Sequence, residues 1–149
     1  MVGVYLSLVA FTNVTDYNSN FQFVQKVTSM EDVFSAPKNN WRSIDNTTVH
    51  HVFYVTIILL EMLTAFLMFL GAYKMTATRQ REAAVFSEAK KWTSLGLALA
   101  VFLFFFVFLT VAGEWFLMWQ SPKWNAQANA FSLTLSFMLF LVFHNQSND

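Results

Sequence analysis

A carboxylate inside an apolar run is the residue of this sequence whose position most demands chemistry. Glu61 interrupts an otherwise apolar stretch over residues 52–73. It falls about nine residues, or about 14 Å of helix, from the start of that stretch. Deep in a bilayer an ionised side chain costs about 2.5–3.5 kcal/mol on insertion scales, so Glu61 must face other helices, be protonated or be paired. No Lys or Arg falls at its depth, whereas Thr110, Ser132, Thr134 and Ser136 do. Two readings stand: a proton or cation site, or a neutral carboxyl that bonds helix to helix through a hydroxyl.

The second concentration of polar chemistry is Gly113-Glu114-Trp115-Phe116-Leu117-Met118-Trp119-Gln120-Ser121-Pro122-Lys123-Trp124-Asn125. Trp115, Trp119 and Trp124 suit the headgroup zone, where an indole ring is half buried and its N–H finds a partner. They read as anchors and packing groups rather than a cofactor box. Glu114 stands near a helix C-terminus, where the helix dipole disfavours a carboxylate. Arg42, Lys123, Asn125 or a Trp N–H would offset that, making Glu114 either a structural clasp or an ion or headgroup site.

His50 and His51 are adjacent and cannot share one helical face, and His144 falls on the opposite side of the membrane, so no haem or metal pair is formed. His51 beside Asp16 or Glu114 would make a protonatable contact; a role at a helix start is the alternative. No Gly-rich phosphate loop, zinc-ligand spacing or nucleophile–base arrangement occurs. No catalytic residue, cofactor or metal ligand is assigned. With no cysteine, disulfides and thiolate sites are excluded.

The elements that must position these residues follow from composition. In 149 residues, 56% are hydrophobic and only 12% charged, against soluble averages of about 45–50% and 25%. This is the balance of an all-α integral membrane protein in a single domain. A net charge of zero gives no reason to expect nucleic acid. The spacing predicts a first helix over residues 1–12, too short to cross a bilayer core of about 30 Å; either it is a half-length helix or a first turn or two is expected before Met1. No basic segment or cleavage site marks a signal peptide. Residues 13–51 form a polar outer cap, in which Ser19 and Gln22 fit a capping box. Phe23, Val27, Met30 and Phe34 follow at helical spacing, until residues 35–40 break the pattern. Further helices are expected over 52–73, 92–117 and 126–143, with a connector over 74–91, where Thr76 or Thr78 caps a short helix, and a turn over 118–125. The result is a four-helix bundle with an amphipathic cap between helices 1 and 2.

Lys74, Arg79, Arg81, Lys90 and Lys91 gather in the connector. By the positive-inside rule this connector and both termini are cytoplasmic, and the cap and the Trp-rich turn are periplasmic. No internal repeat supports an inverted-repeat transporter.

Two signatures, Asn13-Val14-Thr15-Asp16-Tyr17-Asn18-Ser19-Asn20-Phe21-Gln22-Phe23-Val24 and the Trp-rich stretch, stand together with Trp41-Arg42, His50-His51, Tyr54 and Glu61. In this order the chain resembles a bacterial family of predicted small integral membrane proteins, a domain of unknown function. The likeness covers nearly the whole chain. Departures are Ala112 and Ala126 where Gly is usual, Glu31 for Asp and Ser132 for Arg. The family's first helix also starts several residues earlier. The resemblance implies four helices in a bacterial inner membrane and brings no catalytic residue or substrate. Three functions are carried forward: association with membrane lipid as surroundings, as a homo-oligomer or an accessory subunit of a larger complex; proton- or cation-coupled transport through Glu61; and a lipid or quinone site under the Trp-rich turn.

Overall fold

The computed structural model describes residues 1–35, 38 and 40–146. Residues 36, 37 and 39 of the expected break over 35–40 lie outside the described residues, as do residues 147–149. Among those described there are helices and turns and no strand. We name the helices α1 (Val2–Thr15), α2 (Tyr17–Thr28), α3 (Thr47–Thr78), α4 (Ala83–Trp115) and α5 (Gln127–Asn145). α3, α4 and α5 are long and apolar enough to cross a membrane, and α1 is a shorter apolar helix. The architecture is the expected bundle of membrane helices.

The helices run further than hydropathy indicates, because their polar ends bond to themselves. In α1, Ser7, Thr12 and Thr15 return their hydroxyls to the carbonyls of Gly3, Leu8 and Phe11, each at 2.9 Å, so helix continues past residue 12. α2 follows after only Asp16, whose carbonyl accepts from Asn20 Nδ2. Ser19 is therefore inside α2, and the expected capping box does not form. α3 starts at residue 47 rather than 52, because Asn46 Oδ1 accepts from the N–H groups of Thr48 (2.9 Å) and Val49 (3.3 Å), an N-cap. At its other end Thr76 and Thr78 return to the carbonyls of Ala72 and Lys74 instead of capping a new helix. The expected connector over 74–91 shrinks to residues 79–82, and its remainder is helix.

From Phe102 to Trp115 α4 widens into π-helical geometry, in which bonds reach five residues back. Phe116 N donates to the Val111 carbonyl at 3.1 Å, and Thr110 Oγ1 to that of Phe105 at 3.2 Å. The wide turn stacks Phe102 on Phe106 and Phe104 on Phe108, with ring centroids 5.1 and 5.6 Å apart.

Successive long helices are antiparallel. Gly71 of α3 meets Thr93 of α4, while Gly96 meets Met68 and Leu67; Phe104 of α4 packs on Phe137 of α5. Leu6, Ala65, Leu97, Ala100, Leu103 and Ala130 form the buried centre. Small residues let the backbones approach, which matters because lipid supplies no hydrophobic drive between helices. At the end nearer the Trp-rich turn, α2 lays Phe21 and Val24 on Tyr54 and Ile58 of α3.

Candidate functional site

Glu61 is buried, with 2% of its surface exposed. Its Oε2 accepts a hydrogen bond from Asn13 Nδ2 at 2.8 Å. Asn13 is held in turn, since its backbone carbonyl accepts from the Tyr54 hydroxyl at 2.8 Å. Three side chains from α1 and α3 thus form one chain of bonds. The hydroxyls expected as partners are elsewhere: those of Thr110, Ser132, Thr134 and Ser136 return to the carbonyls of Phe105, Ala128, Ala130 and Ser132 on their own helices. A Ser or Thr in a helix has an acceptor one turn back and needs no distant one.

Glu61 lines a chamber of about 230 Å³ that also takes in Tyr5, Asn13, Asn20, Tyr54 and Phe104. No Lys or Arg lines it, and among the described residues the other carboxylate oxygen makes no hydrogen bond. Glu61 is thus the one carboxyl among the residues that line the chamber. Towards the other end, Leu6, Ala65, Leu97, Ala100 and Leu103 are packed and buried.

The histidines sit above this chamber, at the start of α3. His51 Nδ1 shares a hydrogen with the Tyr17 hydroxyl at 2.7 Å, and its ring stacks on Phe21 at 4.1 Å and 9°. Neither Asp16 nor Glu114 bonds to His51. Asp16 is exposed and serves through its backbone, at the junction of α1 and α2. His50 is buried, and its Nε2 donates to the Ile44 carbonyl at 2.7 Å.

The Trp-rich turn lies against α2 and the segment after it. Met30 and Leu117 both have left-handed backbones, with φ of 54° and 56°, and both are buried in one cluster with Val27, Phe116 and Met118. Each follows the end of a helix, the position where glycine is usual. Burial of two large apolar side chains opposes a left-handed penalty of about 1–2 kcal/mol each. The polar tie is Gln120, whose Oε1 accepts from Ser35 Oγ at 2.6 Å and Ser35 N at 3.2 Å. Glu114 is exposed and makes no hydrogen bond or ion pair among the described residues. It is not the clasp.

Trp115 and Trp119 are exposed and Trp124 half-buried. Trp115 meets Trp41 edge to face at 5.7 Å, Trp119 meets Phe34 at 5.9 Å, and Trp124 meets Phe23 at 6.4 Å. Ser121 Oγ accepts from Trp124 N at 2.8 Å, and Asn125 Oδ1 from Gln127 N at 2.9 Å, which turns the chain into α5.

The sequence profile of the family described as "Predicted small integral membrane protein (DUF2165)" matches residues 1–147. The chain belongs to that family. Searches of the curated proteins and of the solved structures each found no match. The family is one of unknown function, and the uncharacterised membrane class expected from the sequence is the class found. Within this family member the structure adds Asn13, Tyr54 and Gln120 to the residues that organise the site. Asn13 carried little signal, because in the sequence it opens the polar segment that follows an apolar run.

Proposed function

We propose that this membrane protein is non-enzymatic and acts by association, as a homo-oligomer or as an accessory subunit of a larger membrane complex. The observation that carries the reading is the packed end of the bundle away from the Trp-rich turn. Leu6, Leu97, Ala100 and Leu103 fill the space beyond Glu61, so the chamber is blind in one chain, while conduction needs a route across. Among the described residues no group of three His, Cys, Asp or Glu could hold a metal ion. Extraction of tagged protein from native membranes in mild detergent, with mass measured by light scattering, tests this. Several copies or a stoichiometric companion is expected, and a lone monomer overturns it.

We place the protein in a bacterial inner membrane, with Lys74, Arg79, Arg81, Lys90 and Lys91 on the cytoplasmic side and the Trp-rich turn periplasmic. The support is that these cations gather at the end of the bundle away from the turn. The cysteine-free chain makes this simple to test. Lys123→Cys should react with an impermeant maleimide in intact spheroplasts and Arg81→Cys should not; the reverse pattern inverts the topology.

A second reading has its own observation. Glu61 lines a chamber without a cationic partner, which fits a proton or cation site. If it is one, Glu61→Gln abolishes ion movement in proteoliposomes without lowering stability. If Gln is silent and only Glu61→Leu destabilises, the carboxyl is a helix-to-helix tie.

A further inference from the structure

α3 and α4 touch closely at one end, and towards the Trp-rich turn they part around a crevice of about 230 Å³ roofed by α2. Phe23 and Val27 of α2, Ile57 and Leu60 of α3, and Val107 and Val111 of α4 form its walls. Its two lining hydroxyls are already committed, Thr28 to the Val24 carbonyl and Thr56 to the Val52 carbonyl, each at 2.7 Å. The exposed wall is wholly apolar. A water needs roughly 10–15 Å³ of such space and two to four polar partners. The crevice has the room and none of the partners, so it suits hydrocarbon and not water.

Phe53, Val111 and Phe116 line both this crevice and a shallower groove, whose rim carries Glu114 and Trp115. Over that rim the Arg42 guanidinium lies 5.7 Å from the Trp115 ring and 5.8 Å from the Trp41 ring. Among the described residues its buried Nε has no acceptor. Among the described residues neither Arg42 nor Glu114 has an ion-pair partner, and they do not pair with each other. Opposite charges therefore flank one interfacial tryptophan above an apolar slot.

We propose that crevice and groove together hold one zwitterionic aminophospholipid. Its phosphate lies on Arg42, its ammonium on Glu114, and one acyl chain runs between α3 and α4 beneath α2. A guanidinium fork suits phosphate oxygens, and a tryptophan pair at headgroup level suits the glycerol region. Charge complementarity selects the head; the dry slot selects the tail.

Delipidated protein in mild detergent is mixed with vesicles of phosphatidylethanolamine or phosphatidylglycerol, and retained lipid is read by native mass spectrometry. One phosphatidylethanolamine per chain is expected, favoured about tenfold, the effect of one charge-assisted hydrogen bond. Glu114→Gln should abolish that preference while both lipids still bind. Arg42→Gln should lose both lipids. Thr56→Phe, at the exposed edge of the crevice, should also expel both without lowering the melting temperature. Equal retention of the two lipids by the unaltered protein overturns the proposal, as does retention untouched by Arg42→Gln. The variants at Arg42 and Glu114 decide the matter if Thr56→Phe fails to fold.

Discussion

The same two helices, α3 and α4, are packed in opposite ways at their two ends. Near the basic loop they touch through glycine, and the Gly71 backbone lies against Thr93. Near the Trp-rich turn they stand apart, α4 widens, and α2 closes over the gap. Where small residues face each other, dispersion and backbone proximity hold two helices without help from the hydrophobic effect. Where larger side chains such as Ile57, Leu60, Val107 and Phe108 line both helices, they stand further apart and space for a ligand remains. The close helix contact is at one end of this molecule, and the crevice and the Trp-rich turn are at the other.

The comparison breaks most completely at Gly71. A Cβ added there would lie 2.1 Å from Thr93 Oγ1 and 2.7 Å from Thr93 N. Because a backbone atom is involved, no rotamer change relieves the clash. Overpacking of this kind costs about 1–3 kcal/mol and sometimes more, so Gly71→Ala should be the most damaging single change, at about 3 kcal/mol. Thermal unfolding in detergent would measure it. Adding Thr93→Ala should restore only part of the loss, because the nitrogen contact stays; full restoration would mean that the helices are not held at this distance.

At the open end, Glu61 decides how α1 is attached. Glu61→Leu leaves the partly buried Asn13 amide without its acceptor, which costs about 1–2 kcal/mol. Glu61→Gln keeps an oxygen for Asn13 and should stay within about 1 kcal/mol of the parent. Denaturation in detergent, followed by the release of α1 to proteolysis at Thr15 and Asp16, would separate the two. Equal stability of the two variants would show that the bond to Asn13 contributes nothing.

The sequence made some of this legible and hid the rest for physical reasons. Apolar run lengths sufficed for the spanning helices, and the insertion cost alone required Glu61 to be enclosed. Its partner was hidden, because Asn13 reads as the start of a polar segment until the backbonds of Thr12 and Thr15 carry helix past it. The tie between turn and cap was hidden differently. Glu114 carries the charge that suggests a clasp, but its place on α4 turns it outward. The neutral Gln120, three residues into the turn, reaches Ser35 instead. Nothing in composition marks Met30 and Leu117 as left-handed, since glycine is the usual signal and neither is glycine.

That last point gives a test with an unusual order of effects. Leu117→Ala removes buried surface and keeps the left-handed strain. Leu117→Gly removes the same surface and slightly more, yet relieves a penalty of about 1–2 kcal/mol. Glycine should therefore be less destabilising than alanine here, by about 1 kcal/mol, the reverse of their order within a helix. Melting temperatures of the two variants would check it. Alanine proving the milder change would mean that the residue does not hold a positive φ.

The smallest expected effect concerns how firmly the open end is shut. Gln120→Ala removes two hydrogen bonds to Ser35, one partly buried hydroxyl and one backbone N–H, so the net loss should be about 1 kcal/mol. Because the apolar cluster around Met30 and Leu117 stays intact, the global melting temperature should hardly move. Local opening is where the loss would appear. Hydrogen exchange at Val27, Thr28 and Met30 should quicken severalfold, while exchange at Thr93 and Gly96 stays unchanged, because segments of one chain open with different free energies. Equal quickening at both ends would mean that the bundle opens as one cooperative unit, and that the contrast between its closed and open ends is one of shape and not of stability.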